Sequence, residues 1–274
     1  MNSSELKTKS LEMLNKRGKR ELYNAVVINS LLAFIITLCG ILRLPSVVIV
    51  IVSIALLVLQ RGFTYGLTKM FVRRKNGERV ETLDFIYDGL SELGRAWSIS
   101  FALIPKFIVP ILCMVIAMGL AVWNVVAGSA SIIASSYTGG LPATEIGAGT
   151  GIIITILIIV SFVMIIPLSY KYRYADNEAI ESPELTAREV LEKTAGIMEG
   201  NKLNSFSLDM SFFLKAFVYG LVAGFISGLI PLVGEIVEVF LVALVQTELM
   251  MAHVLFYEDK NPTLSLVTEE VNEF

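Results

Sequence analysis

The chain has 274 residues, of which 55% are hydrophobic and 17% charged, with a mean hydropathy of +0.71. Soluble domains carry about 25% charged residues, and here the apolar residues come in long blocks, so an ordinary water-soluble domain is excluded. A net charge of −3, with no stripe of basic and aromatic residues, argues against nucleic acid as a partner.

Residues 1–22 are polar and basic. They set Leu6, Leu11, Met13 and Leu14 among charges, which predicts an amphipathic cytoplasmic helix over 4–21. A signal peptide is not expected, because this polar stretch precedes any apolar run and Cys39-Gly40-Ile41 is a poor cleavage site. Two apolar stretches follow, 23–42 and 44–65, each long enough for the roughly 20 residues that cross a bilayer. Arg43-Leu44-Pro45 joins them in a tight hairpin. Residues 82–97 read as a second amphipathic helix, with Thr82 as N-cap, Asp84 in the first turn, and Phe85, Ile86, Leu90, Leu93 and Trp97 near helical spacing.

A third span is expected at 102–127 and a fourth at 151–170. The Ser-, Ala- and Gly-rich connection 128–149 between them reads as a flexible outer loop. Thr186-Ala187-Arg188-Glu189 is a capping-box pattern that opens a third amphipathic helix over 184–198. Spans five and six are expected at 211–230 and 233–256, turning at Pro231-Leu232-Val233-Gly234. The fold class is therefore all-α membrane, with six transmembrane helices and three short amphipathic cytoplasmic helices. The six-helix domain, 23–256, includes cytoplasmic loops 66–101 and 171–210, and a tail, 257–274, follows it.

Lysine and arginine set the orientation. Lys7, Lys9, Lys16, Arg17, Lys19 and Arg20 precede the first span. Lys69, Arg73, Arg74, Lys75, Arg79 and Arg95 follow the second, and Lys171, Arg173, Arg188, Lys193 and Lys202 follow the fourth. The connection 128–150 has no basic residue. This alternation predicts that both termini are cytoplasmic.

Three phrases resemble one known family. Residues 66–94, GLTKMFVRRKNGERVETLDFIYDGLSELG, resemble its glycine-ended helix, basic turn and aspartate-phenylalanine helix. Ile166-Pro167 with Tyr170-Lys171-Tyr172-Arg173-Tyr174 is similar to its isoleucine-proline segment with tyrosines. Glu199-Gly200-Asn201-Lys202 through Phe206-Ser207-Leu208-Asp209-Met210-Ser211-Phe212 resembles its glycine-asparagine-lysine run. The family is the bacterial integral membrane family catalogued as domain of unknown function 975. The stretch 113–163 is longer than the family's usual form. The resemblance implies a multi-spanning protein of a bacterial cell membrane, and it implies no activity.

Ionisable residues at membrane depth are costly and usually face a bundle interior. Lys106, Asp209, Lys215 and Glu248 qualify, and pairings of Lys215 with Glu248 and Lys106 with Asp209 are expected. Gln246, Asn24 and Asn29 are candidates for the same polar layer, with His253 just below it. These groups suit a proton relay or a polar vestibule. Alternatively, the lysines snorkel to the headgroups and Asp209 caps a helix starting near Ser211. Gly220, Gly224 and Gly228 share a helix face that lets a neighbour approach, either within the chain or in a homo-oligomer. Cys39 and Cys113 read as packing residues, and His253 is the single histidine, so no metal or cofactor site is expected. Gly147-Ala148-Gly149-Thr150-Gly151 lacks the preceding strand that a phosphate-binding loop needs.

These residues point to a non-enzymatic membrane protein in the lipid bilayer: a small transporter, or an accessory subunit of an export, immunity or stress system. The alternatives are a scaffold that recruits a membrane or cytoplasmic protein partner through its cytoplasmic helices, and a lipid-modifying enzyme.

Overall fold

The computed structural model describes residues 1–16, 19–41, 45–138 and 147–261. Among these residues there is no strand, and ten helices follow one another. They are α1 (Ser3–Lys16), α2 (Lys19–Ile41), α3 (Ser46–Lys75), α4 (Asp84–Ser91), α5 (Leu93–Thr138), α6 (Gly147–Tyr172), α7 (Ala175–Glu181), α8 (Ala187–Ile197), α9 (Lys202–Leu229) and α10 (Pro231–Lys260). Among the described residues, five of them (α3, α5, α6, α9 and α10) are long and apolar enough to cross a membrane. The first expected span falls on α2. Arg43, Leu44 and the expected tail from residue 262 onward lie outside the described residues, as does the side chain of Cys39.

The chain divides into two compact units, Met1–Ser100 with Lys171–Phe274, and Phe101–Tyr170. In the first unit the core gathers where α3 and α10 end and where α2 and α9 begin. Leu22 and Val26 of α2 meet Leu67, Met70 and Phe71 of α3, Leu208 and Phe212 of α9, and Met251, Leu255 and Phe256 of α10, with Leu6 and Leu14 of α1 joining them. The opposite helix halves are bare. Val47, Ile51 and Ile54 on α3 and Leu221, Phe225 and Leu229 on α9 are exposed. Such surface is costly in water and costs nothing in hydrocarbon, so lipid explains why the sequence leaves it uncovered.

In the second unit, the Ser161 hydroxyl of α6 is buried and donates to the Pro110 carbonyl of α5 at 2.7 Å, which satisfies a polar group in an apolar setting. Cys113 is a half-buried free thiol there. Pro105 and Pro110 lie inside α5, and Pro167 inside α6.

Several boundaries differ from the sequence expectation. The 128–149 segment is not a loop throughout, because α5 continues for 46 residues to Thr138 and α6 opens at Gly147. Residues 139–146 lie outside the described residues. Alanine favours helix, and Ser129 returns its hydroxyl to the Val125 carbonyl at 2.8 Å, so a small-residue segment continues the helix. The expected helix over 82–97 is two helices, since α4 ends at Ser91 and Leu93 already belongs to α5. Thr82 is not its N-cap. Leu83 holds that position without a side-chain bond, and the Asp84 carboxylate instead accepts from the Glu81 N–H at 3.1 Å. Within the expected helix over 4–21, α1 runs to Lys16 and α2 opens at Lys19, residues 17 and 18 lying outside the described residues. Lys69, Arg73, Arg74 and Lys75 lie on α3, not in a loop, and α9 starts at Lys202, before the expected 211.

Contact between α3 and α4 is backbone on backbone. A Cβ on Gly62 would stand 2.7 Å from the Gly89 carbonyl oxygen, and one on Gly89 would stand 2.5 Å from that of Gly62. A Cβ on Gly66 would collide with the Phe85 carbonyl and stand 2.7 Å from the Gly89 nitrogen. Neither obstacle is a flexible side chain, so α4 would have to lift. Gly66→Ala is therefore expected to destabilise the protein by about 1–3 kcal/mol, read as a lower Tm in detergent. Gly94→Ala, whose Cβ would meet nothing within 4 Å, should leave Tm unchanged.

Candidate functional site

The charged residues of the first unit cross-link its helix ends. Lys69 and Arg73 are four apart on α3, and Asp84 and Asp88 are four apart on α4, so each pair shares a face. Lys69 pairs with Asp88 at 3.4 Å and with Glu92, and Arg73 pairs with Asp84 at 3.3 Å, Asp88 at 3.1 Å and Glu78 at 2.9 Å. Arg61 reaches α7, giving Asp176 two parallel bonds of 2.7 and 2.6 Å, while its Nε donates to the Ser100 hydroxyl at 2.6 Å. Planar bidentate pairing of this kind is what guanidinium is suited to. Arg95 donates to the carbonyls of Ala179, Ser182 and Pro183 at 3.0, 3.0 and 2.8 Å, capping the C-terminal end of α7.

At the centre sits Glu178, whose residue exposure is 0%. Lys193 of α8 stands 2.6 Å from its Oε1, the Ser182 hydroxyl donates to it at 2.7 Å, and the Tyr257 hydroxyl of α10 donates to Oε2. Asn261 in turn donates to the Tyr257 oxygen at 2.9 Å. A buried carboxylate persists only when paired and hydrogen-bonded, and here α8, α10 and the residue that ends α7 each supply a partner. Lys75 of α3 adds Glu181 at 3.1 Å and Glu258 at 3.8 Å.

A second cluster surrounds His253. Its Nε2 lies 3.1 Å from Asp209 Oδ1 and 2.9 Å from an Arg173 nitrogen, while its Nδ1 lies 2.8 Å from the Tyr174 hydroxyl. Tyr174 continues to Ser205 at 3.0 Å and stacks against Phe256 and Tyr257. Arg173 also pairs with Asp209. A crevice of about 130 Å³ beside this cluster is lined by Thr68, Arg173, Tyr174, Asn177, Met250, His253 and Val254.

Of the residues expected from sequence, Lys215 and Glu248 come together, Nζ to Oε2 at 2.6 Å, with the ammonium also over the Tyr219 ring. Arg173, placed just beyond α6, and His253 both meet Asp209. Asp209 is not a helix cap, since α9 has begun seven residues earlier. Lys106 is exposed on α5 in the second unit. Gln246 and Asn24 are half-buried, and Asn29 is buried and accepts from Gln60 at 3.2 Å. A Cβ on Gly220, Gly224 or Gly228 would meet nothing within 4 Å, so that face is not the packing surface within the described residues. α9 instead turns Tyr219 and Ala223 to the interior, and Gly234 of α10 presses its backbone on Ser227.

Arg61, Glu178 and Arg173 were not among the site residues expected from sequence. An arginine inside the expected 44–65 span was a signal for the first, and a glutamate between Ala175 and Ile180 was a weaker signal for the second. Among the described residues, no group of three or more His, Cys, Asp or Glu side chains is placed to hold a metal ion.

Five helices long and apolar enough to cross a membrane, ten helices without a strand among the described residues, and ion-paired helix ends define the class as a multi-pass, all-α membrane protein. The chain belongs to the family described as protein of unknown function DUF975, whose profile matches residues 1–261. No curated protein and no solved structure matches it.

Two tests address the cross-links. Lys193→Met leaves Glu178 buried without its cation and is expected to cost about 3–5 kcal/mol. Arg188→Ala, which removes an exposed pair with Glu192, should change stability by at most about 0.5 kcal/mol. Thermal unfolding in detergent reads both. On α8 the capping box is complete. Thr186 Oγ1 accepts from the Glu189 N–H at 3.4 Å, and Glu189 Oε2 accepts from the Thr186 N–H at 2.8 Å. Hydrogen bonds from the Thr186 side chain and then its backbone hold the Glu189 carboxyl below its ordinary pKa. A depressed carboxyl stabilises the fold above its unfolded pKa and loses that contribution as pH falls through the folded value. Protection of the amides in the first turn of α8, measured as exchange relative to the intrinsic rate at each pH, should therefore fall on acidification below the usual glutamate range, and Thr186→Ala should weaken that pH dependence.

Proposed function

We propose that this chain is a six-span protein of the cell membrane with both termini cytoplasmic, acting as a non-enzymatic accessory or scaffold subunit that presents its ion-paired layer to a partner. One observation carries the reading: buried and ion-paired residues gather at the helix ends where the basic residues gather, while the opposite halves are bare apolar surface. Positive side chains are retained on the cytoplasmic face, which supports the orientation. α2 supplies the sixth span that brings both termini to one side. The outward residues of α8, Arg188, Glu189 and Glu192, are what the layer offers a partner.

A proton-coupled transporter is the second reading, and it rests on Glu248. That carboxylate is held by Lys215 at 2.6 Å, an arrangement better suited to fastening α10 to α9 than to exchanging protons.

Cysteines at Arg79 and Glu199 should react with an impermeant maleimide only from the cytoplasmic face of sealed vesicles, and one at Ser129 only from the other. Labelling of Arg79 and Glu199 from opposite faces rejects the topology. Glu248→Gln should lower Tm in detergent by several degrees without altering proton flux in reconstituted vesicles. A wild-type flux abolished by that substitution would favour the transporter. Deleting residues 184–198 should lose a co-purifying partner, and recovery of an unchanged partner set counts against the scaffold.

A further inference from the structure

α4 has three faces, and two are occupied. Phe85 and Gly89 are buried, with Gly89 packed on α3. Asp84 and Asp88 turn to Arg73 and Lys69. The third carries Leu83, Tyr87 and Leu90, spaced four and three apart, which are 46%, 70% and 47% exposed. With its acids drawn toward α3, this outer face is neutral and apolar.

Its position says what covers it. α4 docks at Gly62 and Gly66, directly after the bare apolar turn of α3 formed by Ile54, Leu57 and Val58. Four residues of helix separate Val58 from Gly62, a rise of about 6 Å. Trp97 ties its indole N–H to the Val58 carbonyl at 3.2 Å. Tyrosine and tryptophan with one polar end concentrate where hydrocarbon meets headgroup. A protein partner fits poorly, since three side chains expose a few hundred Å² where a stable interface takes about 800 Å² per partner.

We propose that α4 is an interfacial helix whose Leu83–Tyr87–Leu90 face lies in the headgroup–acyl boundary of the bilayer that α3 crosses. An amphipathic helix seated this way sinks its apolar face about 5–10 Å into that boundary. The proposal rests on the membrane class alone, so it stands or falls separately from the scaffold reading and from the orientation.

Spin labels on single cysteines at positions 83, 87 and 90, in a Cys39→Ser, Cys113→Ser background, test it in vesicles of phosphatidylcholine and phosphatidylglycerol. All three should collide more with oxygen than with a water-soluble nickel chelate, as a label at Ile54 does and one at Glu192 does not. Chelate-dominated collisions at the three positions would overturn the proposal. So would dipolar broadening that vanishes on dilution with unlabelled protein, which would assign the face to a second copy. Shielding from both reagents would assign it to protein and likewise reject lipid. A label-free check uses Tyr87→Trp with Trp97→Phe and Trp123→Phe: brominated lipid should quench its fluorescence, and undiminished emission is incompatible with the placement.

Discussion

Charge that leaves water must find a partner, and that requirement organises the helix ends of the first unit. Glu178 lies wholly buried, yet it is compatible with folding because Lys193 of α8, Tyr257 of α10 and Ser182 just past α7 converge on it. Arg61 with Asp176 and Lys215 with Glu248 repeat the solution at other helix pairs, and Arg173 with Asp209 repeats it between a turn and α9. Individually, half-exposed ion pairs are weak fasteners. Several that share helices restrict one another's side chains, so each loses less freedom on forming.

Around that layer the division of labour is plain. Aliphatic and aromatic residues fill the space between the charged groups, as where Tyr174 lies against Phe256 and Tyr257. Farther along the same helices the bilayer replaces the protein interior, and side chains such as Ile51 and Phe225 need no protein neighbour. Three glycines let α4 settle onto α3 closely enough for the acids of one helix to meet the bases of the other.

Much of this was legible in the sequence, because hydrophobic runs, the turn at Pro231 and the Thr186–Glu189 box are local signals. Helix-forming turns on either side of a span are harder to see. α3 and α9 carry polar residues beyond their apolar runs, and only contact with other elements explains why Lys69 to Lys75 and Lys202 to Met210 remain helical. Residue pairing was partly legible. Lys215 and Glu248 stand in adjacent antiparallel helices at matching distances from a short turn, so arithmetic finds them. The meeting of Asp209 with Arg173 was not legible, because Arg173 lies in a turn and a turn residue's position cannot be inferred from spacing. The glycines at 220, 224 and 228 mark a real face, but Ala223 and Ser227, one position away, turn inward instead.

Because the ion pairs join distant parts of the chain, they bear on biogenesis. Arg61 awaits an aspartate 115 positions later, and Lys75 a glutamate 106 positions later. α10, the last helix among the described residues, supplies Tyr257 and Glu248 and the heart of the core. A polypeptide that stops short of it therefore carries Lys215 and Glu178 without these partners, stranded charges in the helices already made.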